Sequence, residues 1–405
     1  MSKETKQKKW IKFRHYIVRN LAYPFFYIYS RIRYNITIEK FKDKKKTPCL
    51  VLINHQTPYD QFFVGMAFKR PVYFLATEDI FSMGFLSSLL RFAVAPIPIK
   101  KQTSDVRAVK QCIRVAREGG TICIAPEGNR TYSGRTVNMN DSIASLAKML
   151  KLPIVLYRLE GGYGLAPRWS DVVRKGKMRS YVSEVIEPEE YKNMSNEELY
   201  ERIKQGLYVD EAVADCEFYH KKRAEYLERA MYVCPFCGLS TFYSKNEFCE
   251  CKNCGAKIEY QPDKKIKGIN CEFPFEFVAD WYDYQEKFIN NLDVNNYTKA
   301  PLYIDTVDVF EVIINKKKVP FKKQVSVSLY GDKITFDEGT ANEMILNFDN
   351  VSAAAVLGRN KANIYAGDKV YQLKGSKRFN ALKYVNLYHR YKNIAKGENL
   401  QYLGL

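Results

Sequence analysis

The chain has 405 residues, 46% of them hydrophobic, and 64 Lys and Arg against 45 Asp and Glu give a net charge of +19. That length exceeds one ordinary core and predicts roughly two or three domains, while the hydrophobic content excludes a disordered chain. The positive balance calls for an acidic partner, whether a nucleic acid, an anionic membrane surface or a phosphorylated substrate. Of the ten cysteines, Cys49, Cys112, Cys123, Cys216 and Cys271 are scattered and the other five lie between positions 234 and 254. This distribution argues against a disulfide framework and for reduced thiols with a local metal site, hence a cytoplasmic setting. No cleavable signal pattern is present, because no small-residue cleavage site follows the first apolar run.

Residues 1–46 hold fourteen Lys and Arg against Glu4, Glu39 and Asp43, interleaved with aromatic residues. The apolar run from Ile17 to Tyr29 is interrupted by Arg19, Asn20 and Pro24 and falls short of the ~20 residues that a bilayer span needs. The segment is expected to lie in a membrane interface as a basic, aromatic helix; packing on the main domain is the alternative.

From Tyr34 to Glu190 strand and helix patterns alternate. Strands are predicted at 36–38, 49–53, 72–76, 121–125 and 154–157, and helices at 58–68, 104–118 and 142–150, the second closed by Gly119-Gly120. Such alternation specifies an α/β sandwich with a largely parallel sheet, whose functional groups gather at loops beyond the strands' carboxyl ends.

Two of those loops carry chemistry. His55 follows one buried strand, and Asp60 comes five positions later, so the two can meet only across a bend, since positions five apart on a helix lie about 140° apart. Thr57 as N-cap and Pro58 as first helical residue supply that bend, with Asp60 at the third helical position. The pair then reads either as a base with its orienting carboxylate or as a capping box in which Asp60 only satisfies a backbone N–H. Pro126-Glu127-Gly128-Asn129-Arg130-Thr131 follows another strand. Gly128 permits close backbone approach there and Arg130 offers a forked donor for phosphate, unless the loop is a plain surface turn. The Ile97–Lys101 stretch brings the basic Lys101 to the end of a third apolar segment.

Asn54-His55-Gln56-Thr57-Pro58-Tyr59-Asp60 resembles the N-H-x4-D motif of the glycerolipid acyltransferases, best known as 1-acylglycerol-3-phosphate acyltransferases. Pro126–Thr131 is similar to their P-E-G-T-R-S block, with Asn129 at the usual threonine. Ile97–Lys101 is similar to the intervening block, with Lys101 at the usual arginine, and Leu152–Val155 to the later V-P-I-V strand. The resemblance covers roughly residues 35–190. It implies His55 as general base and Asp60 as its orienting partner, with Glu127, Gly128, Arg130 and Lys101 binding substrate. The implied reaction moves an acyl group from acyl-CoA or acyl carrier protein to the free hydroxyl of 1-acyl-glycerol-3-phosphate, making phosphatidic acid in phospholipid biosynthesis. Another lysophospholipid is the alternative acceptor. No Gly-x-Ser-x-Gly elbow is present, which agrees with direct attack by the hydroxyl.

Residues 195–231 read as helical. Cys234-Pro-Phe-Cys237-Gly and Cys251-Lys-Asn-Cys254-Gly, thirteen residues apart, predict a structural four-cysteine zinc ribbon, with Cys249 as a competing ligand. Residues 261–300 link or pack between modules. Seven short strands then follow from Val307 to Leu373, ahead of a helix over 377–394, a pattern that resembles a pleckstrin-homology-like barrel capped by a helix. The expected organisation is an interfacial segment 1–46, an acyltransferase domain 47–230, a zinc ribbon 231–260, a linker 261–300 and a PH-like β domain 301–405. His15, His220 and His389 are expected at surfaces or interfaces. A basic zinc-ribbon protein that binds nucleic acid or lipid is the rival class, but it leaves the four ordered blocks without a cause. The implied location is peripheral, on the cytoplasmic side of an anionic membrane.

Overall fold

The structure, a computed structural model, describes residues 9–42, 47–77, 80–82, 84–99, 105–313, 318–397 and 401–404. Strands β1 (Ile36–Ile38), β2 (Leu50–Ile53), β3 (Val72–Thr77), β4 (Ile97–Ile99), β5 (Thr121–Ile124), β6 (Ile154–Glu160) and β7 (Met178–Ile186) form one sheet in the order β1-β7-β6-β2-β5-β3-β4. Helices α1 (Phe13–Tyr34), α2 (Asp60–Ala67), α3 (Phe85–Ala93), α4 (Val106–Arg117), α5 (Ser142–Leu150) and α6 (Asn196–Leu207) flank it. Strands β2 to β6 pair in parallel, and β7 runs antiparallel to β6. This is the expected α/β sandwich with a largely parallel sheet.

The apolar runs of β2 and β5 are buried along their whole length, as strands covered on both faces must be. Alternate residues enter different cores. Leu50, Leu52, Ile122 and Ile124 meet residues of α4, α5 and α6, whereas Val51, Ile53 and Cys123 meet Tyr34, Phe63 and Val64 of α1 and α2. Strand β7 carries no clean sequence signal. Its burial follows no alternation, Arg179 and Glu184 interrupt its apolar positions, and its register against β6 shifts between Leu156 and Tyr157.

Helix α1 is anchored along its length. Phe26 stacks on Phe62 at 4.5 Å, and Arg19 donates to the Phe68 carbonyl at 2.6 Å. His15 takes the interface alternative: it is buried between α1 and β3, with Nδ1 3.0 Å from the Tyr73 hydroxyl. The helix predicted over 195–231 ends at Leu207. Beyond it the backbone donors find partners in other segments, such as Phe218 to the Pro262 carbonyl and Ala224 to that of Asn246, both at 2.8 Å. These tertiary bonds replace the i−4 ladder.

In the second half, β8 (Phe242–Lys245), β9 (Phe248–Cys251), β10 (Lys257–Tyr260) and β11 (Ile266–Gly268) form a small antiparallel sheet. Helix α7 (Val278–Asn291) follows within the expected linker, and it buries Trp281, Tyr282 and Ile289. A seven-stranded antiparallel sheet comes next: β12 (Tyr303–Glu311), β13 (Val319–Leu329), β14 (Lys333–Phe336), β15 (Met344–Asn347), β16 (Val351–Leu357), β17 (Lys361–Ala366) and β18 (Lys369–Gly375). Its order is β15-β14-β13-β12-β18-β17-β16. Among the described residues no ladder joins β15 to β16, so the expected barrel is a curled, open half-barrel, with α8 (Leu382–Ala395) packed on β16.

One core runs through all of this. It starts at Tyr132 and Trp169, passes through Ile258 and Tyr260 of the small sheet and Trp281 of α7, and ends among Val307, Ile334, Leu373 and Leu387. Buried Arg229 reinforces the junction, pairing with Asp171 at 2.7 Å and donating to the Trp169 carbonyl at 2.9 Å.

Candidate active site and metal centre

Strands β2 and β5 are parallel neighbours, so the loops after their carboxyl ends open at the same edge. His55 and the Pro126–Thr131 loop meet there: the Thr131 N–H donates to the His55 carbonyl at 3.3 Å. The Asn54 side chain fixes the first loop from the other side, exchanging two hydrogen bonds with the backbone of Leu159 at 2.7 and 2.8 Å.

His55 and Asp60 are in contact, with Nδ1 and Oδ2 2.7 Å apart. Asp60 is wholly buried, while the His55 side chain keeps about a quarter of its surface. The bend is tighter than Thr57 as N-cap implies. Helix α2 starts at Asp60 with Tyr59 in the cap position, and a bend at Thr57 and a turn at Pro58-Tyr59 lead into it. The Asp60 carboxylate collects the backbone N–H of Gln56 (2.8 Å) and Thr57 (3.0 Å) and the Thr57 hydroxyl (2.6 Å). The carboxylate therefore does both jobs, though not as a capping box, since Tyr59 is the cap: it satisfies the buried N–H groups of the turn ahead of the helix, and it holds the imidazole. With every other contact to Asp60 a donor, the Nδ1 contact is N–H to carboxylate, which leaves the Nε2 lone pair free.

Glu127 fixes the second loop to the first. Its Oε1 accepts the His55 N–H at 2.7 Å and its Oε2 accepts that of Val137 at 3.1 Å. Burial pushes its carboxyl up to about 8 despite those two bonds, and Asp60 adds to the shift. Gly128 has φ +64°, the left-handed region that favours glycine. The Arg130 Nη1 is buried without a hydrogen-bond partner. Burial, then the like charges of Arg168 and Arg359, push that guanidinium down to about 9. A buried guanidinium nitrogen lacking an acceptor is costly unless a ligand supplies one, and an anion does so best. Lys101 lies outside the described residues.

Sequence reading missed the side chains that brace these loops. Arg135 reaches Asp210 at 3.0 Å and Asp280 at 2.9 Å, and it also contacts Asp283, tying the second loop to α7. Gln56 Oε1 accepts the N–H groups of Gly162 and Tyr163. No spacing rule marks either residue, because the partners come from distant segments.

Cys234, Cys237, Cys251 and Cys254 do come together, their sulfurs all within 4.8 Å of one another. The Cys234–Cys254 and Cys237–Cys251 separations are 3.7 and 3.6 Å. A tetrahedral shell with sulfurs about 2.3 Å from zinc has edges of about 3.8 Å, so the donor set fits that ion. Backbone N–H groups of Phe236 and Cys237 face the Cys234 sulfur, and those of Asn253 and Cys254 face that of Cys251. Cys249 points instead into the hydrophobic core.

With this geometry established, comparison with known proteins is specific for the first half of the chain. Residues 33–157 match the family model described as Acyltransferase. The chain carries an acyltransferase domain. The 1-acyl-sn-glycerol-3-phosphate acyltransferase BAT2 of Brassica napus chloroplasts is 24% identical over 186 residues, 43% of this chain and 51% of that protein. The Arabidopsis thaliana chloroplast enzyme LPAT1 is 25% identical over 43% of this chain and 49% of its own length. The Bacillus subtilis 1-acyl-sn-glycerol-3-phosphate acyltransferase is 21% identical over 34% of this chain and 65% of its own. The chain thus spans about half the length of the plant relatives. A crystal structure of the 1-acyl-sn-glycerophosphate acyltransferase of Thermotoga maritima aligns with a TM-score of 0.38 at 20% identity, covering 47% of this chain and 74% of that one. The acyltransferase domain contains both loops of the site, His55–Asp60 and Glu127–Arg130, within the matched residues.

Proposed function

We propose that this protein acylates the free hydroxyl of 1-acyl-glycerol-3-phosphate, using a thioester donor, acyl-CoA or acyl carrier protein, to give phosphatidic acid. The observation that carries this reading is the His55–Asp60 contact beside Arg130, whose Nη1 is buried without a hydrogen-bond partner: a base and a phosphate donor at one sheet edge. His55 Nε2 takes the hydroxyl proton as the oxygen attacks the thioester carbonyl carbon. The tetrahedral intermediate expels the thiolate, and the imidazolium returns the proton to sulfur, so that an ester and a free thiol leave. Asp60 holds the tautomer and stabilises the imidazolium. Arg130 binds the acceptor phosphate through charge-assisted bonds of about 1.5–3 kcal/mol, with Glu127 and Gly128 shaping its loop.

The proposal extends to the surroundings. Phe13, Leu21, Phe25, Ile28 and Ile32 of α1 are exposed, as are Phe85, Leu89 and Phe92 of α3, and the two helices meet where Arg14 lies over the Phe92 ring. No helix of the described residues is long and apolar enough to cross a membrane. This apolar, basic-flanked face supports peripheral attachment to an anionic membrane surface. The sulfur geometry supports structural zinc at Cys234, Cys237, Cys251 and Cys254, which when bound would cross-link the two turns. The strand order and terminal helix of residues 303–395 support the PH-like reading. An acceptor panel of lysophosphatidic acid, other lysophospholipids and glycerol 3-phosphate, run with both donors, tests the reaction. Preferred thiol release with lysophosphatidic acid is the expected result, and no transfer to any of them refutes it.

A further inference from the structure

The turn that joins β16 to β17 lies against the Pro126–Thr131 loop, and one buried side chain makes the junction. Arg168 donates Nη1 to the Arg130 carbonyl at 2.9 Å, Nε to the Gly358 carbonyl at 3.0 Å and Nη2 to the Val356 carbonyl at 3.2 Å, with Asn129 Oδ1 at 3.5 Å. Its guanidinium also lies over the Tyr132 ring, 4.4 Å from the centroid. Each of these partners is neutral, so they fix the side chain without cancelling its charge. Gly358, in the left-handed region at φ +62°, turns the chain directly into Arg359.

Arg359 contacts Asp171 at 3.2 Å, and that carboxylate is already held by buried Arg229 at 2.7 Å. One carboxylate is therefore shared between two guanidiniums. On the other side of Arg130, Asp60 is committed to His55 and to the backbone of Gln56 and Thr57. Arg130, Arg168 and Arg359 thus approach one another from three segments, and Arg130 has a buried nitrogen with no partner. The local excess of positive charge calls for an anion with more than one negative charge. A phosphate monoester, whose second pKa is about 6, supplies two near neutrality; a phosphodiester supplies one.

We infer that Arg359, carried by the C-terminal sheet, is a headgroup-binding residue of the acyltransferase site. The site is complete only with the β16–β17 turn docked, and the added charge selects a phosphate monoester over a phosphodiester headgroup. This rests on the reading that Arg130 faces the acceptor phosphate. It gives a reason for Tyr132, which directly follows the Pro126–Thr131 loop, to share a core with the second half of the chain.

The test uses the full-length protein with an acyl-CoA donor. The acceptors are lysophosphatidic acid, its phosphate methyl ester, and glycerol 3-phosphate, which separates a lipid headgroup from a free phosphate compound. Arg359→Ala is expected to raise the KM for lysophosphatidic acid about tenfold, the low end for a charge-assisted contact at a partly exposed site, with donor KM moved less than twofold. The preference for lysophosphatidic acid over its methyl ester falls by the same factor, a ratio that does not depend on how much of the variant is folded. Arg359→Lys recovers part of it. Asp171→Asn, which removes the ion pair and keeps the guanidinium, retains the preference. If glycerol 3-phosphate proves the better acceptor and shows the same dependence on Arg359, the residue still binds a phosphate monoester, one carried by a soluble molecule. An unchanged preference in Arg359→Ala, or an equal loss in Asp171→Asn, overturns the inference and makes Arg359 a brace. Failure of the underlying reading looks different: the unaltered protein then acylates none of the acceptors.

Discussion

Asp60 is the residue at which a structural and a catalytic role can be separated by substitution. In Asp60→Asn the amide nitrogen has one tolerable position, that of Oδ1, where it faces the Thr57 hydroxyl, a group that can turn to accept. Oδ2 then still receives His55 Nδ1 and the Gln56 N–H, and the Thr57 N–H, 3.0 Å from both oxygens, gives up Oδ1 and keeps Oδ2, so the tautomer survives and the chief loss is the charge. Losing a charge-assisted bond worth about 1.5–3 kcal/mol lowers kcat by roughly tenfold to 150-fold, with little change in donor or acceptor KM. Asp60→Ala is harsher. It leaves the Gln56 and Thr57 N–H groups buried without their acceptor, at about 1–3 kcal/mol each, and it frees the imidazole. Thiol release from acyl-CoA gives kcat, thermal unfolding gives stability, and kcat is normalised to folded protein. A role confined to capping predicts that Asp60→Asn unfolds at lower temperature while each folded molecule turns over at the original rate, and that result would refute the assignment.

Other consequences can be checked separately. Burial raises the Glu127 carboxyl to about 8, from an ordinary 4.5, so its protonated form is favoured on folding. The stability it contributes is complete below about pH 4.5 and is lost as pH rises through about 8. Glu127→Gln cannot titrate, so the unfolding temperature of the unaltered protein should fall relative to the variant between pH 5 and 9; parallel curves would count against this. Purified protein should contain about one zinc per chain. Its removal by a chelator should lower the unfolding temperature steeply, because such a site contributes on the order of 10 kcal/mol to a module sharing its core with α7 and the C-terminal sheet; full stability without zinc would contradict the metal centre. Replacing exposed Phe25 and Ile32 of α1 by glutamate should weaken binding to anionic vesicles at least tenfold, since each buried side chain of this size is worth about 1.5–3 kcal/mol. Unchanged co-sedimentation would remove α1 from the proposed membrane face.

The parts legible in the sequence are those governed by local rules. The buried strands β2 and β5 announced themselves as apolar runs ending at polar loops. α5 falls at its predicted limits, Ser142–Leu150, and the two C-x2-C turns bring four sulfurs together as their spacing requires. The loops of His55 and Glu127 could be assigned to one edge because parallel strands share a carboxyl end. What was not legible depends on distant partners. Residues 208–231 carry enough apolar positions to suggest a helix, yet Phe218 and Ala224 bond across to Pro262 and Asn246. His15 lacks any sequence neighbour that would bury it, and its partner Tyr73 arrives from β3. Arg168 and Arg359 look like ordinary charged surface residues until the C-terminal sheet folds back onto the Pro126–Thr131 loop. The open edge between β15 and β16 is set by the curl of the sheet, which strand spacing does not encode.

The proposed role of His55 is that of base in an acyl transfer to a phosphorylated acceptor. Its most direct test is the rate of phosphatidic acid formation from acyl-CoA and lysophosphatidic acid by His55→Ala, beside a check that its unfolding temperature is preserved. Removing a positioned base should lower kcat by about 10² to 10⁴ in a protein that remains folded. Transfer at the full rate by His55→Ala would contradict the account.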